Sequence, residues 1–100
     1  MERGGSTYII TNTNNTTIYT GSTTNLYSRI CEHRGKIYPY SFTAKYNIWK
    51  LVFYKCFSTI QEAREYEYYI KGKKRIWKIN LITSVNPKWN DLFYQIKDWD

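Results

Sequence analysis

The first quarter of the chain has a pattern of hydrophobic and polar positions that is typical of a β-hairpin. Residues 7–11 and 17–21 are rich in Tyr, Ile and Thr, and the sequence between them, Asn12-Thr13-Asn14-Asn15, is polar. β-Branched and aromatic residues favour strands, whereas asparagines favour turns. We therefore predict two strands joined by a tight connection.

A helix is predicted directly after this hairpin. Thr24 or Asn25 can act as its N-cap, and Gly35 marks its expected end. Between these points apolar residues recur at helical spacing, at Leu26, Ile30 and Cys31. Residues 36–48 are less regular, and only Ser41 to Tyr46 has the pattern of a single helical turn.

The next predicted strand covers residues 51–57, where both faces are apolar or aromatic. One face would carry Leu51, Phe53 and Phe57, and the other Val52, Tyr54 and Cys56. A strand that is apolar on both faces is expected in the interior of a sheet. We therefore predict a central strand here, third in the sheet.

The strongest helix signal follows that strand. Its start contains two overlapping capping boxes, Ser58 with Gln61 and Thr59 with Glu62. The helical spacing then continues to Lys71, and Gly72 is expected to end the helix. A second, basic helix is predicted over residues 73–84, before Asn86-Pro87 breaks the pattern. A short segment, 91–96, completes the chain.

The charge balance favours a polyanionic partner. Fifteen Lys and Arg residues against eight Asp and Glu give a formal net charge of +7, with a pI near 9.4. Nucleic acid is the first candidate, and an ordinary basic protein kept soluble by its charge is the alternative. A chain of 100 residues that is 42% hydrophobic is expected to form one domain, residues 1–100.

Other classes of protein are disfavoured. No run approaches the roughly 18 apolar residues that a membrane span requires, and no signal-peptide pattern follows Met1. Cys31 and Cys56 are too far apart for a zinc ribbon or a redox Cys-x-x-Cys motif, and we expect both to stay reduced. A soluble, cytoplasmic protein without a membrane partner is the expectation.

One carboxylate interrupts an apolar stripe. The residues that share one face of the capped helix are Ile60, Ala63, Glu67 and Ile70. Burying an ionised carboxylate without a partner costs on the order of several kcal/mol, so a metal, a cation or hydrogen-bond donors should lie beside Glu67. A structural salt bridge is the simpler interpretation, and a functional site is the other.

Further candidates lie on the hairpin and the first helix. Arg29 and His33 are one turn apart and flank the apolar stripe, so they either enter a groove or remain solvated. Tyr8 and Tyr19 lie on the two predicted strands, where packing into the sheet is the default for a chain with 11 tyrosines. The densest basic run, which suits phosphate contacts or a solvated face, consists of Lys71, Lys73, Lys74, Arg75 and Lys78.

Several segments follow one another in the order and spacing of a known family. The first part contains Thr7-Tyr8-Ile9-Ile10-Thr11-Asn12, Thr17-Ile18-Tyr19-Thr20-Gly21, Asn25-Leu26, Arg29 and Glu32-His33. The second contains Phe42-Thr43-Ala44-Lys45-Tyr46-Asn47, Lys50-Leu51-Val52-Phe53-Tyr54, Glu67, Ile70-Lys71-Gly72 and Asn86-Pro87-Lys88-Trp89. Over about residues 6–92 the chain resembles the compact stand-alone branch of the GIY-YIG nuclease family, related to domains of excision-repair and structure-specific endonucleases.

The resemblance implies an α+β fold, a three-stranded and mostly antiparallel sheet flanked by helices, and a metal-dependent DNA endonuclease with a setting in DNA repair. Glu67 would hold one divalent cation, Mg²⁺ or Mn²⁺. Arg29 would stabilise the scissile phosphate. Tyr19, assisted by Tyr8 and His33, would activate the attacking water, although the sequence leaves open which tyrosine is the base.

The resemblance also guides the expected DNA contacts and the alternatives. Lys45 and the basic run would contact the DNA backbone, and a protein partner or DNA shape would choose the cleavage position. Three positions depart from the family pattern: Ser6 replaces a glycine, Thr20 an isoleucine, and Ser22 a lysine that some relatives carry. A catalytically weak or inactive nucleic-acid-binding module of the same fold is therefore the main alternative, and a basic protein-interaction domain is the third.

Overall fold

A three-stranded sheet with helices on both faces organises the computed structural model, which describes residues 4–99. The elements are β1 (Gly5–Thr11), β2 (Ile18–Thr23), α1 (Leu26–Gly35), α2 (Phe42–Lys45), β3 (Lys50–Phe57), α3 (Ile60–Lys71), α4 (Arg75–Val85) and α5 (Phe93–Ile96). The strand order is β2-β1-β3, and both pairings are antiparallel. The predicted α+β fold with a three-stranded sheet is thus confirmed.

Asn12 and Asn15, from the polar stretch that predicted a turn, shape the connection of the hairpin. The Asn12 carboxamide oxygen accepts hydrogen bonds from the backbone N–H of Thr16 at 2.8 Å and of Thr17 at 3.1 Å. Asn15 adopts the left-handed conformation with φ at 58°, which asparagine tolerates better than most residues. The polar stretch between the two strands therefore forms a turn that the Asn12 side chain closes.

The prediction of a central strand for β3 is wrong. β1 lies between the other two strands, and β3 is an edge strand, third in the order. A bulge also interrupts the alternation of β3: Ile9 pairs with Phe53 and the next residue, Ile10, pairs with Leu51. Val52 is thus an extra residue and packs on the same face as Phe53, whereas Leu51 packs on the other face.

Buried side chains occupy both faces of the sheet. The cluster on the α1 and α5 side contains Tyr8, Ile10, Leu26, Ile30, Ile48, Leu51 and Ile96. The cluster on the α3 and α4 side contains Ile9, Val52, Phe53, Ile70 and Ile82. Burial of each large apolar side chain stabilises the fold by about 1.5–3 kcal/mol before entropy is counted. The sheet is therefore packed on both faces and lies between two layers of helices.

The helix starts confirm the predicted caps. The Asn25 side chain accepts from the N–H of Ser28 at 3.0 Å at the start of α1. At the start of α3, Thr59 and Glu62 form the second of the two predicted capping boxes, with reciprocal hydrogen bonds of 3.2 Å. Within residues 4–99, none of the helices has the length and apolar character needed to cross a membrane.

Residues near the C-terminus fasten the helical layers to β3. Asn86, which the sequence marks only as a helix breaker, is buried, and its side-chain nitrogen donates to the carbonyl of Val52 at 3.1 Å. It thereby satisfies a backbone oxygen at the bulge. On the opposite face, Arg34 of α1 pairs with Asp91 at 2.8 Å, and Asp91 also accepts from the N–H of Leu51 at 3.3 Å.

Helix α3 lies close against β1, and a glycine permits the approach. The Thr7 hydroxyl donates to the carbonyl of Ala63 at 2.6 Å. A Cβ at Gly5 would lie 2.8 Å from the Cα of Ile60 and 3.2 Å from the Cβ of Ala63. A real Cβ could not be accommodated at these distances. The close position of α3 therefore depends on the absence of a side chain at Gly5.

Substitution of Gly5 by alanine is expected to push α3 away from the sheet and to lower the free energy of unfolding by about 1–3 kcal/mol. Gly35→Ala is the matched control, because a Cβ there would meet only the Ile37 side chain, at 3.6 Å. Urea unfolding followed by circular dichroism measures both variants. A Gly5→Ala protein as stable as the wild type would contradict the tight packing.

Candidate active site

The open side of β2 gathers side chains from both faces of the sheet. The strand pairing sets Tyr8 opposite Gly21 and Ile10 opposite Tyr19, so both tyrosines lie on the face that α1 covers. Ser22 is opposite Thr7 and lies on the face that α3 covers. Because β2 is an edge strand, groups from either face can reach its outer side.

A buried hydrogen-bonded chain links the hairpin to α1 and α2. The Tyr8 hydroxyl lies 3.0 Å from Nε2 of His33, and Nδ1 of His33 lies 2.9 Å from the hydroxyl of Thr43. The Ser41 hydroxyl continues the chain, 3.3 Å from that of Thr43. Sequence reasoning missed Thr43 and Ser41 as site residues, and the only signal for Thr43 was its place in a segment of the family resemblance.

Burial keeps both members of the Tyr8–His33 pair uncharged at neutral pH. It raises the pKa of Tyr8 to about 12, against the opposing effect of the nearby Arg29. Burial, together with the positive charge of Arg29, also lowers the pKa of His33 to about 4. A protonated phenol and a neutral imidazole satisfy these hydrogen bonds in either imidazole tautomer.

Gly21 makes room for the Tyr8 phenol. A Cβ at this position would lie 2.5 Å from the Tyr8 hydroxyl oxygen, which no real side chain allows. Tyr19, two residues earlier on β2, is half-buried, with its ring 5.9 Å from the ring of His33 and 6.3 Å from that of Phe42. The glycine of the second motif is therefore a packing requirement of the site.

Arg29 is held at the edge of this group by a neighbour on its own helix. Its guanidinium lies 3.0 Å from the carboxylate of Glu32 and 5.7 Å from the ring centre of Tyr38. Burial acts to lower the pKa of Arg29, but Glu32 and Tyr8 outweigh it, and the pKa is raised above its ordinary value. The side chain is 31% exposed, so a permanent positive charge faces the surface of the site.

Glu67 has the partners that its place in an apolar stripe requires. The Ser22 hydroxyl donates to one carboxylate oxygen, and the ammonium group of Lys71 lies 2.5 Å from the other. The Glu67 side chain is 20% exposed. Both partners correspond to residues that the sequence marked for other reasons, Ser22 as a departure from the family pattern and Lys71 as a DNA contact.

The predicted catalytic side chains come together at this edge. Arg29 lowers and Glu67 raises the pKa of Tyr8, so both charges lie near its phenol. Lys71 joins the two sides, because its ammonium contacts Glu67 and lies 5.9 Å from the ring centre of Tyr19. Tyr19, Arg29 and Glu67 thus lie around one region of the surface, and Tyr8 and His33 are buried beneath it.

The predicted DNA-contacting residues are more dispersed. The Arg75 guanidinium donates to the carbonyl of Thr16 at 2.6 Å, and the Lys73 ammonium lies 4.5 Å from the ring centre of Tyr69. Both side chains therefore have intramolecular contacts. Lys71, the partner of Glu67, is described above. The remaining predicted contacts are exposed or half-buried: Lys45 on α2, Lys74 at the cap of α4, and Lys78 on α4.

Glu67 fits the way in which proteins hold magnesium. In the described part of the chain, no group of three or more His, Cys, Asp or Glu side chains could bind a metal. Mg²⁺, however, is commonly bound by one or two carboxylates together with phosphate and water oxygens. The Glu67 carboxylate is accessible, and its partner Lys71 is 49% exposed on a flexible stem that can move aside.

We expect His33, the single histidine of the chain, to remain neutral down to about pH 4. Its pKa in the folded state lies below the ordinary value of about 6.5. The stabilisation from the neutral ring is therefore complete above pH 6.5 and is lost as the pH falls towards 4. An NMR titration of the imidazole measures the pKa of His33, and unfolding experiments at several pH values measure the change in stability. A titration midpoint near pH 6.5 would contradict a buried His33.

Comparison with known proteins identifies the family. The family model described as the GIY-YIG catalytic domain matches residues 4–80. The solution NMR structure of the UPF0213 protein BH0048 from Bacillus halodurans is similar to this chain, with a TM-score of 0.55 and 25% sequence identity; the match covers 87% of this chain and 90% of that one. No curated protein is significantly similar to the chain. Because the family model matches most of its length, this chain belongs to the GIY-YIG family, as the order of its motifs indicated.

Proposed function

We propose that the chain is a metal-dependent DNA endonuclease that hydrolyses a phosphodiester bond with water. The GIY-YIG family consists in general of endonucleases, which is consistent with the proposal. The observation that carries it is the meeting of Tyr19, Arg29 and Glu67 at the open edge of β2, in a chain with a net charge of +7. These groups suit one phosphate, one cation and one water molecule.

Arg29 has the properties of a phosphate-stabilising residue. Its guanidinium is planar, always charged, and able to donate two parallel hydrogen bonds to phosphate oxygens. Glu32 orients it through one hydrogen bond, while its partial exposure leaves other N–H groups available to a substrate. Negative charge grows on the phosphate oxygens during attack, so Arg29 would stabilise the transition state more than the ground state.

Glu67 is the residue we assign to the divalent cation, Mg²⁺ or Mn²⁺. When bound, such a cation supplies positive charge to the scissile phosphate and to the leaving oxygen. The Ser22 hydroxyl fixes the orientation of the Glu67 carboxylate from the β2 side. Lys71 would leave Glu67 in this state, and its ammonium would become available to a phosphate oxygen of the substrate.

Tyr19 is the residue we assign to the attacking water. The raised pKa of Tyr8 keeps its phenol protonated at neutral pH and disfavours Tyr8 as the base. Tyr8 and His33 instead hold the neighbourhood of Tyr19 in place, since the His33 ring packs against both tyrosines. As a phenolate, Tyr19 would orient the water and accept its proton as the bond from water oxygen to phosphorus forms. The bond from phosphorus to the leaving oxygen would break in the same displacement, and that oxygen would take a proton from solvent.

An inactive nucleic-acid-binding module of the same fold is the second candidate. The observation that favours it is the pairing of Glu67, whose two carboxylate oxygens contact Ser22 and Lys71. DNA binding without magnesium-dependent cleavage, unchanged by substitution of Glu67, would support this candidate. In either case, a protein partner or the shape of the DNA would choose the position bound.

Glu67→Gln is expected to reduce magnesium-dependent nicking of supercoiled DNA by about a hundredfold or more, because it removes the charge that holds the cation. The amide oxygen can still accept from Ser22, so the fold should survive. Glu65→Gln, at an exposed position on the same helix, is the matched control and should cleave like the wild type. Undiminished nicking by Glu67→Gln, or wild-type nicking in the presence of a chelator, would refute the assignment.

Arg29→Ala is expected to lower the single-turnover cleavage rate by about 10²–10³-fold, and Arg29→Lys should recover only part of the loss because an ammonium cannot form the paired hydrogen bonds. Arg64→Ala removes the same charge from an exposed position on α3 and serves as the control. Equal effects of the Arg29 and Arg64 substitutions would show that net charge, and not a placed guanidinium, governs the rate.

A further inference from the structure

Large aromatic side chains are concentrated on the exposed surface between α1 and β3. We call the set formed by Tyr38, Tyr40, Phe42 and Tyr46 the aromatic rim. Their exposed fractions are 54%, 99%, 51% and 47%, respectively. Scattered apolar residues on a surface need no explanation, but several exposed rings within nine consecutive residues indicate a binding surface.

The aromatic rim adjoins the candidate active site. The Phe42 ring lies 6.3 Å from the ring of Tyr19 and 4.8 Å from that of Tyr46. The Tyr38 ring centre lies 5.7 Å from the guanidinium carbon of Arg29. A polymer whose backbone enters the site between Tyr19 and Arg29 would therefore have its neighbouring units beside these rings.

The charge around the aromatic rim selects a polyanion as its partner. The segment that carries the rim, residues 36–47, contains Lys36 and Lys45 and no Asp or Glu. The ammonium of Lys45 lies 5.6 Å from the ring centre of Tyr46, so cation and ring are presented side by side. Alternation of aromatic and basic side chains is typical of surfaces that bind single-stranded nucleic acid.

The segment that carries the rim is anchored at several points. Thr43 is buried and bonded to His33, and Ser41 caps α2 by accepting from the N–H of Ala44 at 3.3 Å. The ammonium of Lys36 lies 2.5 Å from the side-chain oxygen of Asn47 and closes the segment at its ends. Binding to these rings would therefore require little ordering of the backbone.

We propose that the aromatic rim stacks unpaired nucleobases of a nucleic acid whose phosphate lies in the candidate active site. Bases in a duplex are stacked on one another and present only their edges, whereas an unpaired base offers a face to an aromatic ring. The substrate class is therefore single-stranded or branched nucleic acid with unpaired nucleotides beside the cleaved phosphate. This inference rests on the proposed function for the position of the phosphate.

The test measures binding with the metal chelated, so that no cleavage is required. Fluorescence anisotropy compares a labelled oligothymidine strand with a blunt duplex. Tyr40→Ala is expected to weaken binding of the single strand by roughly five- to a hundredfold, the loss of one stacked base, and to leave duplex binding within about twofold. The Tyr40 side chain is 99% exposed, so its removal should not affect folding.

Two further variants sharpen the test. Tyr40→Trp keeps a stacking face and should bind the single strand at least as well as the wild type. Tyr94→Ala removes a tyrosine that is 71% exposed on α5 and should bind both nucleic acids like the wild type. Unchanged single-strand affinity of Tyr40→Ala, or equal losses on strand and duplex, would overturn the proposal.

Other occupants of the surface would give different results. Self-association of the wild type in sedimentation, abolished by Tyr40→Ala, would identify a second copy of the chain as the occupant and overturn the proposal. The binding measurement also gives a result whether or not the protein cleaves nucleic acid. Selective single-strand binding through Tyr40 without any nicking would reject the endonuclease and support nucleobase stacking on the aromatic rim. Nicking that does not depend on Tyr40 would support the endonuclease and reject the stacking.

Discussion

The buried contact between Tyr8 and His33 determines how the rest of the site is arranged. It joins β1 to α1 at 3.0 Å, and through Thr43 it also fixes the α2 turn. An unpaired polar group at this depth would cost about 1–3 kcal/mol, so the three elements are held in one relative position. Arg29, one turn before His33, is thereby carried to the open edge of the sheet. Gly21 is the geometric condition of this arrangement, because any side chain there would displace the phenol.

On the other face of the sheet, α3 brings a second set of charges to the same edge. Each charged group of the site already has a counter-charge: Glu32 beside Arg29, and Lys71 beside Glu67. A phosphate and a cation would therefore exchange partners with these residues instead of meeting bare charges. Such an exchange would limit affinity, because each incoming ion would have to displace a partner that the residue already has.

Local signals predicted the local features, and long-range contacts explain what they missed. The turn at Asn12, the caps at Asn25 and Thr59, and the need of Glu67 for a partner all follow from residues close in sequence. The edge position of β3 and its bulge depend on pairing with β1, from Gly5 with Phe57 to Thr11 with Lys50, and periodicity does not report such distant contacts. For the same reason sequence patterns do not report the buried role of Thr43 or the hydrogen bond of Arg75 to the hairpin turn.

A chain of this size has few residues to spare for recognition, and the α2 turn serves two purposes at once. Thr43 points inward and is 5% exposed, while its neighbour Phe42 and the nearby Tyr46 are about half exposed. Successive residues of a helical turn point in different directions, so one short element can support the site and present rings beside it. Because His33 connects α1 rigidly to α2, a nucleobase on the rim and a phosphate at Arg29 would be held by the same rigid part of the molecule. Positioning of this kind would lower the entropic part of a reaction barrier, in addition to the electrostatic stabilisation assigned to Arg29.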